Sequence, residues 1–137
     1  VIDEESVGKA DIVIADLPCS GLGIIGRKPD IKYRVKAADL EGLADLQRKI
    51  LSVVQSYVKP GGKLIFSTCT IDRKENEENA GWFLENFPFE PVNLEKNLKE
   101  NMRKTFALDT LKQGYMQLLP GIHPCDGFFI SEFRRKG

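Results

Sequence analysis

At 137 residues the chain is long enough for one domain with a core of its own, or for a piece of one. Twenty basic and twenty acidic residues cancel, so bulk charge announces no nucleic-acid partner. No apolar run approaches the ~20 residues of a membrane helix, and no basic-then-apolar leader opens the sequence; neither a membrane partner nor a signal peptide is expected.

The chain opens on Val1, and a strand follows almost at once, which leads us to expect a piece cut from a longer protein. Residues 11–15 (DIVIA) are a short β-branched run suited to a buried strand of a parallel sheet. It stops at Asp16, and Pro18, Gly21 and Gly23 break the chain into a tight loop. Residues 40–58 carry Leu40, Leu43, Leu46, Ile50, Leu51, Val54, Tyr57 and Val58 at helical spacing. Asp39 is the expected cap and Lys59-Pro60-Gly61-Gly62 the expected stop. A second buried strand is predicted at 63–67, then a helix from about Glu75 to Asn86 with Asp72 as cap and Ala80, Phe83 and Leu84 facing inward. Residues 88–114 read as a charged insertion with some helix. Strands at 115–119 and 127–133, joined by the Pro120–Asp126 turn, finish the chain.

Strand–helix–strand with short connections implies a parallel pair. The closing strands resemble the antiparallel edge that many such sheets carry. The class is therefore α/β and Rossmann-like, a mixed sheet with an antiparallel edge whose front half is expected upstream.

Ligands of open α/β sheets gather beyond the carboxyl ends of the strands. Two segments end there: Asp16-Leu17-Pro18-Cys19-Ser20-Gly21 and Ser67-Thr68-Cys69-Thr70. If the strands are neighbours, about 4.8 Å apart, the sulfurs of Cys19 and Cys69 fall within about 10 Å of each other and near the Asp16 carboxylate. Either cysteine alone reads equally as a small buried hydrophobe, and Asp16 as a loop cap. Three cysteines without a C-x-x-C pair fit neither a disulfide framework nor a zinc site, so no metal is expected and reducing cytoplasm is the natural compartment. Cys125 reads as a bystander, His123 as a turn residue, and Trp82 as a half-buried packing residue. Arg27, Lys28, Lys32 and Arg34 cluster in sequence, as a solvated face or as a groove for phosphates.

The pair D-x-P-C-S-G and S-T-C-T resembles the two signature motifs of RNA cytosine-5 methyltransferases, and most closely the bacterial Sun (Fmu) family acting on 16S ribosomal RNA. The likeness continues through Gly23, Arg27-Lys28-Pro29-Asp30, Leu46-Gln47, Pro60-Gly61-Gly62 and Glu75-Asn76, and ends with Leu119-Pro120 and Asp126-Gly127-Phe128-Phe129. It thins through 88–114.

The resemblance implies transfer of a methyl group from S-adenosylmethionine to carbon 5 of a cytosine in ribosomal RNA, through a covalent cysteine adduct at carbon 6. By resemblance Cys69 is the nucleophile, Cys19 assists release, and Asp16 contacts the base and lies near the cofactor, with Pro18 beside it. Arg27, Lys28, Lys32 and Arg34 become expected RNA contacts. The family's glycine-rich cofactor loop and its N-terminal RNA-binding domain have no counterpart in this sequence, so both are expected upstream and the piece alone is expected to be inactive. Residues 11–15 would then be an exposed apolar edge, which invites self-association. Two rivals stand beside this reading. One is a DNA cytosine-5 methyltransferase, in which the Pro-Cys thiol, Cys19, would attack. The other is a non-catalytic RNA-binding module on the same fold.

Overall fold

A computed structural model describes residues 2–106 and 109–137. Strand β1 (Ala10–Asp16) pairs in parallel with β2 (Val58–Thr68), setting Val13 opposite Leu64, Ala15 opposite Phe66 and Asp16 opposite Ser67. The other edge of β2 pairs antiparallel with β5 (Phe128–Arg135), Leu64 facing Phe133 and Thr68 facing Phe129. Two short strands, β3 (Phe89–Pro91) and β4 (Tyr115–Leu118), share the far edge of β5. The expected antiparallel side is thus present, with β5 inside the sheet and β3 and β4 as its rim. Among the described residues β1 pairs with β2 alone.

Side chains alternate across a sheet, so Val13, Ala15, Leu64, Phe66, Phe129 and Phe133 fall on one face. The helices α2 (Ala37–Val54) and α3 (Glu77–Asn86) bring Leu51, Ala80 and Phe83 into the same apolar cluster. Phe83 is the hub, its ring centroid 4.8–5.1 Å from those of Phe87, Phe89 and Phe133. On the opposite face Ile12 and Ile14 are 57% and 70% exposed.

Several boundaries differ from the expectations. Helix α2 starts at Ala37, and Lys36 holds the cap position. Asp39 is the third residue of the helix, where its carboxylate accepts the Lys36 N–H at 3.0 Å and meets the positive end of the helix dipole. The helix stops at Val54 and tightens into a 3-10 turn, Gln55–Tyr57, before β2 begins at Val58. Pro60 disfavours helical backbone at the residue before it, and Val58 is completely buried as a strand residue. The extra residues of Pro60-Gly61-Gly62 are absorbed by a register shift between Ala10 and Ile12 of β1. Helix α3 begins at Glu77, two residues later than expected, with Asn76 rather than Asp72 at its cap position.

The 88–114 segment is not merely an insertion. It contributes β3, a 3-10 turn at Leu94–Asn97, the short helix α4 (Glu100–Phe106) and a further turn at Leu111–Gln113. Of this segment, residues 107 and 108 lie outside the described residues. Strand β3 escaped a periodicity reading because three residues ending in proline carry no alternation.

Candidate active site

The parallel pairing of β1 and β2 runs one residue past Asp16, where the Leu17 N–H donates to the Ser67 carbonyl at 3.0 Å. Beyond that bond the two chains diverge into their loops with the same register. Cys19 and Cys69 therefore meet, Sγ to Sγ at 3.1 Å, well inside the separation expected from strand spacing. Asp16 projects at the same strand end, and its Oδ1 accepts the Ser67 hydroxyl at 3.0 Å. Both thiols are half-buried, while Asp16 and Pro18 are exposed.

Two glycines allow the approach. The Gly23 N–H donates to the Cys69 carbonyl at 3.0 Å, and the Gly127 N–H donates to the Gly23 carbonyl at 2.7 Å. A Cβ on Gly23 would stand 2.4 Å from the Gly127 carbonyl oxygen and 2.7 Å from that of Cys69. A Cβ on Gly127 would stand 2.5 Å from the Gly23 Cα. Three backbones, from the Cys19 loop, the Cys69 loop and the turn before β5, are stacked at a distance that leaves no room for a methyl group. The Asp126-Gly127 turn thus belongs to the site's framework.

Beneath the thiols lies a buried polar layer built from Gln47, Glu75 and Asn76, residues of the family likeness to which the sequence assigned no role. Glu75 accepts from the Ser20 N–H (2.9 Å), the Ser20 hydroxyl (2.6 Å), Gln47 Nε2 (3.0 Å) and the Thr70 hydroxyl (3.2 Å). Gln47 Nε2 also donates to the Pro18 carbonyl at 3.0 Å. Asn76 donates to the Thr70 carbonyl at 2.9 Å and accepts the Thr68 hydroxyl at 2.6 Å. A signal existed for one of these: Gln47 stands four residues from both Leu43 and Leu51, a polar residue on the apolar stripe of α2.

Burial, reinforced by the hydrogen bond with Cys69, pushes the Cys19 thiol from 9.0 up to about 12. Cys19 is therefore an S–H group at neutral pH, able to donate to its neighbour.

The model of the 16S rRNA methyltransferase RsmB/F family matches residues 2–134. The chain belongs to this family. It is similar to the probable ribosomal RNA small subunit methyltransferase B of Bacillus subtilis (strain 168), with 45% identity over 93% of this chain and 28% of that protein. It is also similar to the ribosomal RNA small subunit methyltransferase F of Shigella flexneri serotype 5b (strain 8401), at 31% identity over 91% of this chain and 26% of the relative. The crystal structure of PH0851 superposes with a TM-score of 0.81 at 33% identity, covering 94% of this chain and 27% of that one. The chain thus spans about a quarter of the length of the curated relatives it matches. The fold is the Rossmann-like α/β sheet of these methyltransferases.

Within this family fold the remaining expected residues take modest places. Arg27, Lys28, Lys32 and Arg34 are all exposed, on the loop and short helix α1 (Ile31–Arg34) that follow the Cys19 loop. Arg27 pairs with Asp126 at 2.7 Å, Arg34 pairs with Asp30, and the Lys32 ammonium stands 4.8 Å over the Tyr33 ring. Arg27 thereby ties the basic segment to the Gly127 turn. His123 accepts the Leu119 N–H at 2.9 Å through Nδ1, a turn role as expected. Cys125 is exposed, and Trp82 packs half-buried with the Arg48 guanidinium 5.2 Å from its ring.

Proposed function

We propose that this chain carries the catalytic thiols of an S-adenosylmethionine-dependent ribosomal RNA methyltransferase that modifies carbon 5 of a cytosine in 16S ribosomal RNA. The observation that supports it most is the 3.1 Å separation of Cys19 and Cys69 beside Asp16. Carbon 5 of cytosine is too poor a nucleophile to accept a methyl group directly. The Cys69 thiolate adds to carbon 6, which makes an enamine of the ring and renders carbon 5 nucleophilic; one hard step becomes two easier ones. S-adenosylmethionine, when bound, supplies the methyl group as an electrophile. After methylation a solvent water takes the carbon 5 proton, the carbon–hydrogen electron pair reforms the ring double bond, and the carbon 6–sulfur bond breaks with its electron pair returning to Cys69 as thiolate.

Cys19 supplies what that last step needs. Its raised pKa keeps an S–H beside the departing sulfur, where it stabilises the emerging thiolate by a hydrogen bond. In the alternative route Cys19 attacks and the two sulfurs exchange roles. Asp16, exposed at the end of β1 and oriented by Ser67, fits an acceptor for the amino edge of the base and for a donor group of the cofactor. Pro18, exposed and adjacent, fits a flat apolar contact to either. These two residues would line one side of the cofactor site, with the glycine-rich loop contributed by the part of the protein expected upstream. Arg27, Lys28, Lys32 and Arg34 would meet RNA phosphates.

The test uses the complete protein and its RNA. Cys69→Ala should abolish methyl transfer and leave no covalent adduct on a denaturing gel. Cys19→Ala should instead accumulate a slow-migrating protein–RNA band, because release is slowed. A band from Cys69→Ala and none from Cys19→Ala would exchange the two roles; activity unchanged in both would end the two-thiol reading.

A further inference from the structure

Glu75 has 0% exposure, and a buried carboxylate is expensive unless each oxygen is hydrogen-bonded. All its partners can donate, and their orientation is fixed by a chain of side chains. The Arg48 guanidinium can only donate, and its Nε gives a hydrogen bond to Asn79 Oδ1 at 2.8 Å. Asn79 Nδ2 must then be the donor to Gln47 Oε1, at 2.9 Å. Gln47 in turn is left with Nε2 facing both Glu75 and the Pro18 carbonyl. An arginine on α2 thus dictates, through two amides, that a nitrogen meets Glu75 Oε1.

The other oxygen does something different. Oε2 accepts from the hydroxyls of Ser20 and Thr70, which also contact each other at 2.7 Å. Ser20 directly follows Cys19, and Thr70 directly follows Cys69. One carboxylate oxygen therefore grips the residue after each thiol. Its partner oxygen takes the Ser20 N–H, while Gln47 holds the Pro18 carbonyl on the other side of Cys19.

We propose that Glu75 is a positioning residue for the two-thiol chemistry: its carboxylate clamps Ser20 to Thr70 and so sets the sulfurs of Cys19 and Cys69 in contact. This rests on the covalent reading given above. It acts through Ser20 and Thr70, without touching the base. A misplacement of about 1 Å in a reacting group can cost ~10²-fold in rate, so holding the residue after each thiol bears directly on turnover.

The experiment compares Glu75→Gln, Glu75→Ala and Thr70→Val in the complete protein, with 5-fluorocytosine-containing RNA to titrate competent sites. Methyl-transfer kinetics are then expressed per competent site. The clamp predicts kcat per site lowered roughly tenfold or more in Glu75→Ala, with the RNA KM within about threefold of wild type. Glu75→Gln, which keeps the length and one acceptor oxygen, should recover part of the loss. If Glu75→Ala fails to fold, Glu75→Gln and Thr70→Val carry the test with the same kcat signature. A merely structural residue would instead reduce the number of competent sites, and the surviving sites would turn over at the wild-type rate; that result overturns the proposal. Cys69→Ala run in parallel separates the failures. If it stays active, the covalent reading itself falls; if it is dead while Glu75→Gln and Thr70→Val match wild type per site, only the clamp falls.

Discussion

Gly23→Ala would place a methyl group in the close backbone approach that brings the Cys69 loop and the Gly127 turn together. The new methyl would lie 2.4 Å from the Gly127 carbonyl oxygen, where ordinary contact begins near 3.4 Å, so about 1 Å must be found. Neither obstacle is a flexible side-chain tip; both are backbone carbonyls, of Gly127 and Cys69. Moving them strains or breaks the hydrogen bonds Gly23 N–H to Cys69 and Gly127 N–H to Gly23. Two such bonds contribute about 1 kcal/mol each, and forcing a methyl into packed structure costs about 1–3 kcal/mol more. The stability loss is therefore about 3–5 kcal/mol, with Cys69 displaced from Cys19 by a substantial part of the 1 Å. That displacement should lower single-turnover methyl transfer by on the order of 10²-fold. Denaturant unfolding and single-turnover assays on the complete protein measure both. A Gly23→Ala protein with unchanged midpoint and unchanged rate would refute the claim that this backbone contact sets the thiol geometry.

Neutralising Arg27, Lys28, Lys32 and Arg34 together should weaken RNA binding and flatten its salt dependence, by roughly 3 in the slope of log K against log salt if all four meet phosphates; an unchanged slope would remove them from the interface. Stability should fall as pH rises above 9: Cys19 ionises near 9.0 in the unfolded chain but keeps its proton to about 12 when folded, so the folded state holds more protons across that window and nothing is lost below it. Tyr115 and Lys74 are also raised and add to the same fall, which makes the comparison with Cys19→Ala the informative one. Urea unfolding at pH 8 and at pH 10 should show a smaller loss in the variant; equal losses would contradict a raised Cys19.

The legible parts of this fold were those with a strong local signal. The DIVIA run and the Leu/Ile stripe of α2 each express one dominant preference, and each element formed within a few residues of its expected place, whereas the expected stop at Lys59-Pro60-Gly61-Gly62 lies inside β2, the helix having ended at Val54. Strand β3 was not legible because its three residues are recruited by β5, a partner more than forty positions away. The meeting of Cys19 and Cys69 could be anticipated from strand ends, since parallel neighbours carry their carboxyl ends together. The layer beneath was legible only in part: Gln47, Glu75 and Asn76 belong to the resemblance, but nothing local sets them under the thiols. Glu75 and Asn76 sit just before a helix, where acidic and amide residues are ordinarily solvated caps, and only the three-dimensional loop turns them inward. Gly23 and Gly127 read as turn residues, whereas their role is a close approach between segments distant in sequence.

The central claim is that Cys69 bonds to the base while Cys19 stays a thiol. It is tested most directly by trapping the complete protein on RNA that carries 5-fluorocytosine at the target position, since fluorine blocks loss of the carbon 5 substituent and holds the adduct. Proteolysis and mass spectrometry then locate the attached nucleotide. The account predicts it on the peptide containing Cys69, with Cys19 unmodified; a nucleotide on Cys19, or methylated RNA formed with Cys69→Ala protein, would contradict it.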